Sequence, residues 1–196
     1  MSNRIRVALL ALLSLALIGI IPAASQEKEP EAPSLQGPQH KLLASLAGDF
    51  DTAMRMWFKP DAEAVESKGA VKRAALMGGL FLRENYEVTG TPFDHKGEIT
   101  WGYNTETSKV NYVQLVSSSA AMNIYEGDYD EKAKAFTVRS AYKMTYEGVE
   151  YDVKTRIVLT VESADKQKLE IYSAYEFKDG KIPEYLEIEV KYTRKK

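Results

Sequence analysis

The stretch GEITWGYNTETSKVNYVQLVSSS, Gly97 to Ser119, decides the fold. Ile99, Trp101 and Tyr103 alternate with Thr100 and Gly102, the period of two expected of a half-buried strand. Asn104 to Ser108 is a run of small polar turn formers, after which alternation resumes through Val110, Tyr112, Gln114 and Val116. This is one antiparallel hairpin, and the rest of the chain repeats its design.

Toward the C-terminus, Met122 to Gly127 reads as a short strand. Phe136, Val138, Ser140, Tyr142 and Met144 then alternate with Thr137, Arg139 and Lys143. Glu147-Gly148 turns the chain into Val149, Tyr151, Val153, Thr155, Ile157, Leu159 and Val161, opposed by Glu150, Asp152, Lys154 and Arg156. Leu169, Ile171, Ser173, Tyr175 and Phe177 form the next stripe, Asp179-Gly180 is a tight-turn dipeptide, and a last strand runs from about Glu184 to Thr193.

Toward the N-terminus, Leu80 to Val88 and Gly69 to Met77 are strands joined through Gly78-Gly79, with a polar loop over Asp61 to Lys68. Phe50, Thr52, Met54, Met56 and Phe58 make the first strand, and Leu42, Leu43 and Leu46 at helical spacing predict a short helix over His40 to Ala47. Gln26 to Pro38, with Pro30, Pro33 and Glu27, Glu29 and Glu31, reads as a linker. Residues 1–25 have the form of an export leader: Arg4 and Arg6, an apolar run from Val7 to Ile21, and small residues at Ala23-Ala24-Ser25. That run is shorter than the roughly 20 residues that cross a bilayer. The expectation is an exported chain, periplasmic or extracellular, whose domain spans 39–196.

About ten strands linked by short turns must hide their edges, and closure into a barrel does so. The fold expected is all-β, mainly antiparallel: a closed barrel with one N-terminal helix packed at an end or along its side. The faces opposite the apolar stripes carry Arg139, Lys143, Glu150, Asp152, Lys154 and Arg156. Those charges need water, which argues against a membrane barrel and against membrane insertion after leader removal.

Several landmarks stand in order along the chain. They are His40-Lys41-Leu42-Leu43 through Leu46-Ala47-Gly48, Gly78-Gly79, Gly90-Thr91-Pro92-Phe93, Gly102-Tyr103-Asn104, Glu126-Gly127, and Val190-Lys191-Tyr192-Thr193-Arg194-Lys195. With them the chain resembles the exported bacterial family known as domain of unknown function 1579 over roughly Gly37 to Lys196. The resemblance implies a lipocalin-like barrel and no assigned activity. The chain departs from that pattern on the second strand of the central hairpin, where Leu115 and Ser117 stand in place of a tryptophan and an aspartate.

The 196 residues carry a formal charge of −2, which becomes −4 without Arg4 and Arg6, and no block of basic residues. Such a chain is a poor nucleic-acid binder. The absence of cysteine excludes disulfides, thiol catalysis and zinc–thiolate sites. His40 and His95 are the only histidines; a haem axial role is conceivable for one of them, but a helix-start residue and a turn residue explain them. Ser117-Ser118-Ser119 lacks a nucleophile elbow, and Gly78-Gly79 lacks the lysine of a phosphate loop. No cofactor or metal is expected.

The informative residues are the hydroxyls on the inward faces. Ser140, Tyr142, Tyr151, Thr155, Ser173 and Tyr175 lie among aliphatic side chains, and Trp101 and Tyr103 share the inward parity of the central hairpin. A few placed polar groups in an apolar interior suit a small, mostly apolar ligand; the competing account is a packed interior whose hydroxyls satisfy one another. The expectation is a binding protein using these eight residues. The alternatives are an enzyme using Glu84 or a tyrosine as acid or base, and a protein-interaction module.

Overall fold

The structure, a computed structural model, describes residues 35–90 and 94–196. The expected leader and all but the last residues of the expected linker lie outside them. Ten strands follow one short helix: β1 (Gly48–Met56), β2 (Val65–Leu76), β3 (Phe81–Thr89), β4 (His95–Asn104), β5 (Lys109–Val116), β6 (Met122–Asp130), β7 (Ala135–Tyr146), β8 (Val149–Val161), β9 (Lys166–Phe177) and β10 (Gly180–Arg194). Each pairs antiparallel with its sequence neighbours, and β1 closes the ring against β10, Phe50 opposite Arg194 and Met56 opposite Ile188. Closure leaves no edge strand in the ring. The central hairpin has Trp101 opposite Tyr112 and Ile99 opposite Gln114. Strand β2 begins at Val65, inside the segment expected to be a loop, because Glu66 and Lys68 take the outer face while Ser67 turns inward.

Helix α1 (Pro38–Ser45) starts two residues earlier than the leucine spacing alone indicates. Proline at the first helical position loses no hydrogen bond there. The Gly37 N–H donates to His40 Nδ1 at 2.9 Å, so His40 Nε2 carries the proton and donates to the Tyr103 carbonyl at 2.8 Å. At the other end Arg194 donates to the carbonyls of Ser45 and Ala47, cations being favourable at a helix C-terminus. Leu43 and Leu46 are buried with Phe50, Leu82, Trp101 and Val110, so α1 plugs the end of the barrel where β1 begins and β4 ends.

Just inside that plug lies a buried polar cluster. Arg73 Nε donates to Glu84 Oε2 at 2.6 Å and Arg73 Nη1 to Gln167 Oε1 at 2.7 Å. Gln167 Nε2 is anchored to the carbonyls of Ser163 and Ala164. The guanidinium lies 4.2 Å from the centre of the Tyr192 ring, whose hydroxyl reaches Glu84 Oε1 at 3.4 Å. Burial opposes the charge on Arg73, but Glu84 and Tyr192 outweigh it and raise its proton affinity. Trp101 and Tyr112 meet edge to face, centroids 4.6 Å apart, and with Phe136 and Tyr125 they complete an aromatic floor.

Candidate functional site

The half of the barrel beyond this floor is not filled. A mouth lobe of about 310 Å³ is lined by Tyr86, His95, Gln114, Asn123, Tyr125, Tyr142, Thr155, Ser173 and Glu187, with Met56, Ile157, Ile171 and Ile188 between them. A deeper lobe of about 70 Å³ adjoins it and is mostly apolar, bounded by Met54, Val71, Val88, Ile99, Leu169 and Val190, with Glu84 and Tyr192 at its base. Tyr86, His95, Gln114, Ile171 and Ile188 border both. The polar groups therefore sit at the open end and the apolar ones below.

Two backbone features shape this space. An ideal Cβ on Gly97 would lie 2.3 Å from the Tyr86 ring, so only glycine lets that phenol lie across β4 and present its hydroxyl to Gln114, 3.3 Å away. On β10 the register slips between Ile182 and Tyr185, around Pro183, and again between Leu186 and Ile188. Proline has no N–H for the ladder. The second slip gives β10 an extra residue, Glu187, so Glu187 and Ile188 both border the cavity although they are consecutive.

Glu187 is the centre of the polar rim. Its Oε2 accepts from Ser173 Oγ at 2.5 Å and its Oε1 from the Tyr175 hydroxyl at 2.7 Å. Burial first, then the Glu187 charge, push Tyr175 up, and the same two causes take Tyr185 to about 12. Burial also raises Tyr142, with Glu187 adding to it, and raises Tyr125, where Tyr142 contributes ahead of Glu187. The phenols therefore remain donors throughout the physiological range.

The wall itself is split at the mouth. The β6–β7 ladder ends at Glu126 opposite Arg139, while β6 continues back to Met122 along β5 and β7 continues to Tyr146 along β8. Asn123 and Tyr125 from one lip and Tyr142 from the other face the cavity. Met122, Ile124, Tyr146 and Val149 stand exposed around the opening, Ile124 at 60%.

The expected site residues separate into two groups. Tyr142, Thr155 and Ser173 line the mouth lobe. The Thr155 hydroxyl is buried without a well-formed hydrogen bond among the described residues, and the Tyr142 phenol lies beside it. Tyr175 stands behind the lobe, bound to Glu187, and Tyr151 packs against Tyr175 and Phe177 with centroids 6.3 and 5.5 Å away. Ser140 lies on β7 at the split, opposite Thr155.

Trp101 and Tyr103, expected among the ligand-binding residues, border neither lobe, and nor do Ser140, Tyr151 and Tyr175. Trp101 is wholly buried in the floor, and Tyr103 meets the edge of His40 at 5.8 Å, because α1 occupies their end of the barrel. The group that approaches Gly102 is the Phe81 ring of the neighbouring strand. Glu84, the candidate acid of the enzyme alternative, is tied to Arg73 beneath the deep lobe. Residues not foreseen are Glu187, His95, Gln114, Tyr86, Asn123 and Tyr125. All but Glu187 carry the inward parity of their strands, which is the signal that could have found them.

Raised tyrosines make stability depend on alkaline pH. Burial raises Tyr112 and Tyr192 as well, each with Glu84 as its next cause. In the unfolded chain tyrosine titrates near 10. The folded chain thus holds these protons more tightly, so the stabilisation is complete below pH 10 and is lost as pH rises through the folded values. Each buried phenol of this kind removes up to about 1.4 kcal/mol per pH unit. Thermal melts followed by circular dichroism should show Tm falling steadily above pH 10, with a flat profile from pH 10 to 12 contradicting the burial of Tyr112 and Tyr192.

Comparison with solved structures shows a likeness to Rv2717c from M. tuberculosis, at 11% identity and a TM-score of 0.44, covering 82% of this chain and 99% of that one. Comparison with curated proteins gave no match. The profile of one family, described as protein of unknown function (DUF1579), matches residues 36–194, and the chain belongs to that family.

Proposed function

We propose that the barrel, in an exported and leader-free form, is a binding protein for a small amphipathic molecule. The ligand enters at the β6–β7 split, buries its apolar part toward Leu169 and Ile99, and leaves its polar head among the hydroxyls of the mouth. The observation that supports this most directly is the cavity itself: an apolar deep lobe beneath a rim of convergent polar side chains, opening at a wall gap edged with exposed apolar residues. Burial of apolar surface supplies the binding energy, and the rim selects the head group.

The test is titration with the neutral fluorophore N-phenyl-1-naphthylamine. Saturable enhancement at one equivalent, reversed by octan-1-ol, is the expected result. Ile171→Trp places an indole where both lobes meet and should weaken the probe by about tenfold or more, equivalent to 1.4 kcal/mol. Circular dichroism of the variant checks that the barrel remains folded. No saturable signal with the wild type, or undiminished binding in a folded Ile171→Trp protein, would overturn the reading.

A further inference from the structure

We infer that the cavity, if it is the ligand site argued above, selects amphiphiles with a cationic head, an alkylammonium and not a carboxylate, through the Glu187 carboxylate and the tyrosines around it. Glu187 borders the mouth lobe and forms no ion pair with any Lys or Arg among the described residues. Its two hydrogen bonds come from neutral hydroxyls, which hold a carboxylate in place without cancelling its charge. On the two strands that flank β10, Arg55 of β1 pairs with Glu66, Lys168 of β9 pairs with Glu170, and Lys166 of β9 is exposed. Further round the wall, on β8 and β7, the basic residues are likewise engaged or solvated. Arg156 is clamped to Glu184 in a two-bond pair, and Arg139 is exposed. Glu84, the other carboxylate of the cavity, is matched by Arg73. His95 lies on β4, where its ring packs edge-on against the Tyr86 ring at 5.8 Å.

The surrounding rings supply the second half of the recognition. Tyr86, Tyr125 and Tyr142 border the same lobe, and Tyr175 and Tyr185 stand together beside Glu187, their centroids 6.4 Å apart. Aromatic faces attract cations, most strongly where water is displaced, and quaternary ammonium groups are held this way by aromatic cages. An ammonium head would meet these faces and one uncompensated carboxylate, while its chain ran into the deep lobe. A carboxylate head in the same place would meet Glu187 at close range and be repelled.

Three probes of one chain length separate the possibilities: octyltrimethylammonium, octan-1-ol and octanoate, each titrated by calorimetry at pH 7 and 0.15 M salt. The ammonium should bind about tenfold more tightly than the alcohol, with octanoate weakest. Glu187→Gln keeps one acceptor oxygen and offers its amide N–H to the oxygen of the second hydroxyl, but removes the charge, and the ammonium-to-alcohol ratio should fall toward one. Tyr142→Leu, at an exposed lip, keeps the charge and removes one ring, and the ratio should fall about threefold. Equal binding of the three probes, tighter octanoate, or a ratio unchanged in folded Glu187→Gln protein would overturn the cationic preference and leave the binding reading intact. Failure of all three octyl compounds to bind would overturn both.

Discussion

Glu84→Ala should lower the stability of the folded chain by about 3–5 kcal/mol, the cost of leaving one member of a buried ion pair without its partner. The Arg73 and Glu84 side chains are 0% and 2% exposed and meet at 2.6 Å. Removing the carboxylate leaves a guanidinium with Gln167 and the Tyr192 ring for company, and neither carries a compensating charge. The guanidinium cannot shed its proton to escape the cost. Replacing both members, as in Arg73→Met with Glu84→Leu, should restore much of the loss, since apolar groups of similar volume need no compensation. Lys96→Ala provides the contrast: its pair with Glu87 is 72% and 58% exposed, is screened by water and should contribute little. Urea denaturation midpoints measure all three. Equal effects of Glu84→Ala and Lys96→Ala would show that the pair is not buried in solution.

Gly127→Ala is the second large expected loss, about 3 kcal/mol or more. A Cβ at this position would lie 1.8 Å from the Thr137 carbonyl oxygen and 2.7 Å from the Val138 Cα. Both are backbone atoms of the paired strand, so no rotamer change relieves the overlap. The strands would have to separate at Gly127 opposite Val138, one pair from the point where the β6–β7 ladder already ends. The split should therefore lengthen toward the floor, and unfolding should become less cooperative. Gly148→Ala distinguishes this clash from the ordinary cost of substituting glycine. Gly148 has φ of 80° with nothing within 4 Å, so alanine there should cost only about 1 kcal/mol. Similar denaturation midpoints for the two variants would rule out the close β6–β7 approach.

Both predictions concern joints that hold the barrel, and so do several of the sequence landmarks. His40 caps α1 onto Tyr103, Gly102 admits the Phe81 ring, Gly127 admits the β7 backbone, and Arg194 seals the end of α1. None of these four side chains or gaps borders the cavity. These landmarks accordingly account for the architecture.

What the sequence determined by itself was the order and antiparallel sense of the strands and the inward parity of most of them. Alternation with a period of two is a local property: Val153, Thr155 and Ile157 against Asp152, Lys154 and Arg156 decide their faces without reference to the rest of the chain. The turn dipeptides then join neighbours, and closure follows from the need to pair both edges. Parity says which way a side chain points and nothing about its depth along the barrel. Only the tertiary structure decided that Trp101 lies in the floor and Tyr142 at the mouth, because helix α1 closes one end and the β6–β7 ladder stops short at the other. Parity also fails where a strand carries an extra residue. Strict alternation places Glu187 outside with Glu189 and Lys191, and the bulge beside Ile188 brings it in. That single insertion in a ladder, set by pairing with β9, is what puts a carboxylate in the cavity.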